Sequence, residues 1–564
     1  MQNNKITVNV KEPCIIFIDH PSSVSANQRV HALDKLKHLI KHLSFSEAFS
    51  VNAFLNGLKK ALPKKNYTLY LYTIKSNKAH FFPSLYYDPA KCDFILMKIK
   101  GKPEKFLING VASDYEVIKG THFLKFDTNN FEPWENIVFT NHSIKNILIY
   151  PGFYVDTERE IELPIGQQNF KIRSIDGLYE QDILTKKLKR YDNSSWNYIF
   201  NARNTCIKSR FYNTFFSAYD LDNKTYRLNS WVWSSAIVVK ALLEEYALTK
   251  KEEYLIIAKE TGDALLGFQK QEGPEAGGIM VRWDVWQDSP TGIVPWLAPN
   301  DSAIIGSYAF LPLYQETKDT RYLEAAMKIG EWIIKNGMSE EGRLYAGYRE
   351  DIGIWDKSWL YVDAGFAGTL FEGLYEITGE VKWKKTLKLF IDDFIKLFWC
   401  EDGYFYKNWT YPNQKDRNIY ARGQAWALDG LISAYKVLKE EKYLEKILAC
   451  ADYLVEHQNE NGSWNYLLNI KDSGECNKGT PIIAYHLFRL SNFTKKTEKY
   501  YNSARKAMEW CEANQYKGSD TNAVGGIHAY NTEGCIVGVR NTDTIFTYAN
   551  AYYILARNLL RRTK

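Results

Sequence analysis

From about residue 205 onward, apolar positions recur in two alternating forms. A segment apolar nearly all round is followed by a turn rich in Thr, Lys, Asp and Glu. An amphipathic segment then opens on an aromatic residue, usually with Leu after it, and a Gly-containing loop leads to the next copy. The aromatic markers are Tyr254, Tyr322, Trp383, Tyr443 and Tyr500. Self-similarity at such a period, roughly 60 residues, marks a supersecondary unit that buries its apolar face only against its neighbours. A further apolar helix, expected over 542–561, requires a partner, and the helical pattern at 176–200 is the candidate.

Two features favour a closed ring over an open array. The inner segments, such as 304–313 and 364–374, are apolar on every side, as expected for helices covered all round. Polar terminal repeats, which an open solenoid needs, are missing. The expected fold is therefore an all-α (α/α)6 barrel over residues 171–564.

The chain before the barrel carries a different pattern. Short runs with β-branched and aromatic content, at 14–19, 67–74, 94–99, 106–108, 121–126, 136–139 and 146–150, read as strands. A helical stretch is expected over 27–61. Residues 1–170 thus form a smaller β-rich (α+β) domain. His38 and His42, four apart on that helix, have no third ligand in reach of the pattern, so a solvated face is the better reading. No metal or organic cofactor is expected.

Composition narrows the function. With 72 basic and 66 acidic residues, a net charge of +6 is too small and too dispersed to argue for nucleic acid or membrane binding. Eight scattered cysteines and no basic-then-apolar leader lead us to expect a reduced, cytoplasmic protein. An aromatic content of 15% is high, and suits a groove that stacks on sugar rings.

The repeat also places candidate chemistry. Asp301 stands before Tyr322, Asp363 before Trp383 and Arg422 before Tyr443, each by nearly the same stretch of chain. That stretch is about 20 residues, and equal offsets in a ring of equal units mean equal height. All three are therefore expected at one mouth. An Asp at a helix start is also an ordinary N-cap, a reading that weighs most on Asp301. Arg422 and Trp426, four apart, share a helix face and set a cation beside an aromatic plate. Asp543, expected to open the last helix, and His528, in the loop before it, are further candidates for the mouth.

The stretch Tyr420-Ala-Arg-Gly-Gln-Ala-Trp-Ala-Leu-Asp-Gly430 resembles the S-R-G-Q-A-W-A-x-x-G signature of the unsaturated glucuronyl hydrolases, and the W-A-R-G-x-x-W of the unsaturated rhamnogalacturonyl hydrolases. Those families are (α/α)6 barrels with two aspartates about sixty residues apart, and Asp301 and Asp363 stand at about that separation. The resemblance implies that Asp363 is the general acid/base and Asp301 its supporting carboxylate. It further implies that Arg422 and Trp426 bind the uronate of an acidic oligosaccharide or polysaccharide; Gln424 of the same motif, Tyr361 and Lys407 are further substrate-binding candidates. The family's His before the Arg motif has no counterpart in Tyr404-Phe-Tyr-Lys-Asn-Trp409, where Lys407 is the nearby basic residue.

The implied reaction is hydration of a terminal unsaturated uronic acid. Three alternatives stand beside it. The first is ordinary glycoside hydrolysis by the Asp pair, with retention at a carboxyl separation of about 5–5.5 Å or inversion at roughly 6.5–9.5 Å. The second is a uronate C5-epimerase using Tyr361, Tyr404 or Tyr420. The third is a polysaccharide-binding barrel without catalysis, which carboxylates at the mouth disfavour.

Overall fold

A computed structural model describes residues 5–18, 22–25, 78–81, 92–98, 107–108, 111–112, 116–117, 123–127, 137–140, 146–162, 169–175, 180–184, 194–204, 211–222, 225–226, 232–285, 293–350, 352–471, 473–491, 497–530 and 543–562. In the N-terminal part Cys14–Ile18 lies between Asn146–Val155 and Asn169–Ser174, all antiparallel. Phe94–Lys98 and Phe123–Asp127 extend the sheet on one side and Glu180–Leu184 on the other. These strands are covered on both faces: Phe94, Ile95, Leu96 and Met97 are all buried, as are Ile16, Phe17 and Ile18. The sheet runs on to Leu184, beyond the expected change of pattern at 170. Accordingly the helix expected over 176–200 is only α1 (Ser194–Asn201), preceded by a strand. The expected helix over 27–61, with His38 and His42, and the strand over 67–74 lie outside the described residues.

The remaining helices alternate between an inner and an outer ring. The inner ring consists of α2 (Trp233–Thr249), α4 (Pro299–Ile305) continued by α5 (Leu311–Thr317), α7 (Gly368–Thr378), α9 (Ala421–Leu438), α11 (Gly479–Ser491) and α13 (Thr547–Arg562). Each touches the next, and α13 touches α2, so the ring closes. The outer helices are α3 (Glu252–Leu266), α6 (Thr320–Trp332), α8 (Val381–Phe398), α10 (Glu441–Glu456) and α12 (Thr497–Ala513). The sixth outer place is taken by α1, which packs on α13. A wide turn, Gly306–Phe310, joins α4 to α5 just ahead of Pro312, whose missing N–H and ring would break a regular helix there.

The repeat has a physical basis. Inner helices are buried around their circumference: in α9 every residue from Ala421 to Ala434 is buried. Four inner segments end on a left-handed residue four positions before the next aromatic marker: Lys250, Lys318, Gly379 and Lys439. Such a step frees the chain to reverse into the outer helix. The marker tyrosines then stitch the outer ring. Tyr322 donates to Asp263 at 2.9 Å, Tyr443 to Asp392 at 2.8 Å and Tyr500 to Asp452 at 2.8 Å. Each of these aspartates follows the marker of its own helix by nine positions. Burial, then Asp392, pushes the Tyr443 hydroxyl up to about 12, so it remains a donor.

Candidate active site

The mouth of the barrel holds a cleft with about 710 Å³ of space, partly open to solvent. Asp301, Asp363, Arg422 and Trp426 all line it, as does Tyr361. Trp233 and Lys478 line it too. These two obey the same counting rule, since Trp233 stands before Tyr254, and Lys478 before Tyr500, by again about 20 residues. Reading the offsets for carboxylates and for the Arg motif alone passes over them. The offset applied to every repeat finds both.

Asp363 lies in a tight turn, Val362–Ala367, that leads into α7. The strand before it, Trp359–Tyr361, pairs with Asn408–Thr410, and Val362 N–H donates to the Lys407 carbonyl at 2.9 Å. The carboxyl is thereby fixed beside α9. Arg422 Nη2 donates to Asp363 Oδ2 at 2.7 Å, while Nη1 donates to the Tyr548 hydroxyl at 2.7 Å. The guanidinium lies over the rings of Trp426 at 4.6 Å and Tyr420 at 5.0 Å. Burial works against the Arg422 charge, but Asp363, Tyr420 and Tyr548 outweigh it and hold its pKa well above the ordinary value. Glycine at 423 is required for this approach: a Cβ there would meet Val362 Cγ1 at 2.1 Å and Asp363 Oδ1 at 3.3 Å.

Buried polar atoms without partners gather on this wall. Asp363 Oδ1, Asn300 Oδ1 and the Tyr420 hydroxyl have no hydrogen-bond partner among the described residues. Since buried polar groups are nearly always paired, a group of unpaired ones around one cleft marks a surface built for a polar ligand. Aromatic side chains (Trp233, Trp359, Tyr361) line the same cleft as these groups, a combination suited to sugar rings. Asp301, on the first turn of α4, is buried and accepts from Asn300 Nδ2 at 3.3 Å. Among the described residues no cluster of His, Cys, Asp and Glu is arranged to hold a metal.

A second polar layer lies about two turns further along the inner helices. Tyr308 donates to Asp429 Oδ2 at 2.6 Å, Arg489 donates to Asp429 Oδ1, and Lys240 Nζ stands 3.8 Å over the Tyr308 ring. Burial opposes the Asp429 charge, but the cations around it hold the carboxyl down at about 2. The buried His486 is pushed down to about 3 by desolvation first and by Arg489 and Lys240 as well.

Four expected site residues are not in the lining of the cleft. Gln424 is fully buried on the opposite side of α9, where its amide accepts from Phe405 N–H and donates to Phe405 C=O, both at 2.8 Å. Two residues along a helix turn about 200°, so Arg422 and Gln424 cannot share a face. Lys407 is buried with its ammonium 3.9 Å from Asp416. Asp543 does not open a helix. It begins the strand Asp543–Phe546, which pairs with Ala218–Asp220 and His528–Tyr530 before α13 starts at Thr547. His528 and Asp543 bond each other at 2.8 Å in that sheet.

Comparison with known proteins agrees with this architecture. The family profile described as Glycosyl Hydrolase Family 88 matches residues 208–540. No curated protein matches the chain. A solved structure of an unsaturated glucuronyl hydrolase specific for heparin is similar at TM-score 0.51 and 17% identity, over 62% of this chain and 92% of the other. Cellobiose 2-epimerase from Bacillus thermoamylovorans B4167 is similar at TM-score 0.50 and 16% identity, over the same shares. At these identities the two structures carry the barrel fold and nothing finer.

Proposed function

The chain belongs to glycosyl hydrolase family 88, and we propose that this glycoside hydrolase removes a terminal 4,5-unsaturated uronic acid from an acidic oligosaccharide by hydrating its vinyl ether. The observation that carries the reading is the asymmetric environment of Asp363. One carboxyl oxygen is engaged by Arg422, while Oδ1 has no partner among the described residues and belongs to a wall of the cleft. In this reading Oδ1 is the atom that delivers a proton to the sugar.

Asp363 donates that proton to C4 of the sugar while a water adds at C5, its own proton passing to a cleft carboxylate. Asp301 supplies a second carboxylate to the cleft, to orient the water. The C5 hemiketal opens to a ketone, and the hemiacetal left at C1 releases the neighbouring sugar. Trp426 and Trp233 offer the ring faces on which the flattened sugar stacks.

The test is ultraviolet absorbance of the conjugated double bond during incubation with a panel of lyase-generated oligosaccharides. Loss of absorbance with the native chain and none with Asp363→Asn is the expected result. A flat trace across the panel, together with release of sugar from saturated uronate-containing glycans, would instead make this an ordinary glycosidase.

A further inference from the structure

A second cavity opens beside the cleft. It holds about 880 Å³ of space, faces solvent more widely, and has Trp355, Asp356, Lys357, Ser358 and Tyr411 in its lining. Side chains of the two cavities are directly joined. Trp359 of the cleft donates from its indole to Asp356 of the second cavity at 2.7 Å. Tyr345 of the cleft meets the Trp355 ring at 5.7 Å, and Lys357 Nζ stands 4.2 Å over the same tyrosine. The strand Trp359–Tyr361 runs from the edge of the second cavity to the turn that bears Asp363. A sugar chain following this wall out of the cleft reaches the second cavity within roughly 10 Å, the rise of the three strand residues back from Tyr361 to Ser358.

The second cavity is built as a groove for sugars. Trp355 is anchored from behind: its indole donates to Glu275 Oε1 at 3.2 Å, and that buried carboxylate also accepts from Trp332 at 2.8 Å and Asn336 at 3.0 Å. Tyr411 is 69% exposed, more than any other large apolar side chain among the described residues, and Ile354 in the same cavity is 56% exposed. Lys357 is exposed, and no carboxylate pairs with it among the described residues. The one carboxylate in the lining, Asp356, is engaged by donors: Ser358 N–H at 3.0 Å, the Ser358 hydroxyl at 2.6 Å and Trp359. Aromatic surface for ring faces therefore stands beside a cation for an acidic substituent. A stable protein partner needs a broader apolar face than Ile354 and Tyr411 supply, whereas a chain already seated in the cleft needs only a groove.

We propose that this cavity is a distal subsite, in which Tyr411 stacks on an outlying sugar of the substrate and Lys357 meets that sugar's carboxylate or sulfate. The assignment rests on the reading above that the cleft holds the end of an acidic oligosaccharide. It makes chain length, and charge away from the reacting sugar, part of what the enzyme selects.

The experiment compares the native chain, Lys357→Met, Tyr411→Ala and the double variant on an unsaturated uronyl disaccharide and on the hexasaccharide of the same acidic glycan. The disaccharide, which in this assignment stops short of Lys357, reports on folding and chemistry. In the native chain the hexasaccharide should show the lower KM. Each single variant should raise that KM about threefold or more and the double variant about tenfold, with the disaccharide KM and both kcat values nearly unchanged. The Lys357 effect should shrink as salt is raised and the Tyr411 effect should not; a Lys357 effect indifferent to salt overturns its role. A native chain indifferent to length, or variants that change both substrates equally or neither, would overturn the subsite while leaving the hydrolysis intact. Should the native chain turn over neither compound, binding of the corresponding saturated hexasaccharide and disaccharide is measured by calorimetry. Tighter binding of the hexasaccharide that the double variant abolishes supports the subsite even with the reaction refuted. Equal binding, no binding, or a preference that survives the double variant overturns it.

Discussion

Arg422 and Asp363 join the fourth inner helix to the turn that opens the third, through a bond of 2.7 Å between side chains only 10% and 14% exposed. Removing one partner from such a pair leaves the other charge buried and alone. Arg422→Met and Asp363→Asn are each expected to lower thermal stability and to reduce kcat about a hundredfold or more. The double variant should regain stability but not activity. A double-mutant cycle read by denaturant unfolding should return a coupling of about 1–3 kcal/mol, and additive losses would refute the link.

Gln424 tests the boundary between site and scaffold. Its amide closes a two-way bond with the backbone of Phe405, in the chain that carries Lys407 toward Asp363. Gln424→Leu would leave a buried N–H and a buried C=O unpaired, at about 1–3 kcal/mol each. A clear drop in Tm with KM within about twofold of native is expected. A rise in KM at unchanged Tm would return Gln424 to the substrate.

Close packing beneath the cleft depends on Gly430. A Cβ there would stand 2.0 Å from the Gly365 carbonyl oxygen, a backbone atom in the turn that carries Asp363. Neither α9 nor that turn can yield without moving Asp363 against Arg422. Gly430→Ala should cost about 1–3 kcal/mol in unfolding free energy and lower kcat as well. Native stability with native kcat would show that the two segments slide apart freely.

His486 links stability to pH. Folded, it stays neutral down to about 3, against 6.5 for the ordinary side chain, because burial and the neighbouring Arg489 and Lys240 oppose its charge. Between those limits the unfolded chain binds a proton that the folded chain does not. This contribution is therefore fully present above pH 6.5 and is lost progressively as pH falls toward 3, at up to about 1.4 kcal/mol per unit. Urea unfolding at a series of pH values should show this slope in the native chain and a shallower one in His486→Leu.

Much of this was legible in the residues alone. Period and all-round apolarity of the inner segments led to the ring, and equal offsets led to Asp301, Asp363 and Arg422 at one mouth. The same offsets reach Trp233 and Lys478 once polarity is set aside as a filter. Motif membership misled for Gln424, because a run of consecutive residues winds around a helix whereas a cleft sees one side of it. Asp543 and His528 were lost to a different cause: a short strand, Asp543–Phe546, pairs with Ala218–Asp220 and takes the place of the first turn expected of the last helix. Sequence distance from an aromatic marker says nothing of such tertiary pairing. The change at residue 170 marked a weakening of the strand pattern, while the hydrogen-bonded sheet continues to Leu184.

Because five of the hairpins present side chains at the level of the cleft, the cleft is assembled from separate segments of the chain. Trp233, Asp301, Asp363, Arg422 and Lys478 belong to five separate hairpins, with Tyr548 of the last inner helix joined to them through Arg422. Replacing Arg422 reaches two other hairpins through Asp363 and Tyr548, so the cleft's wall is shared between segments far apart in the chain.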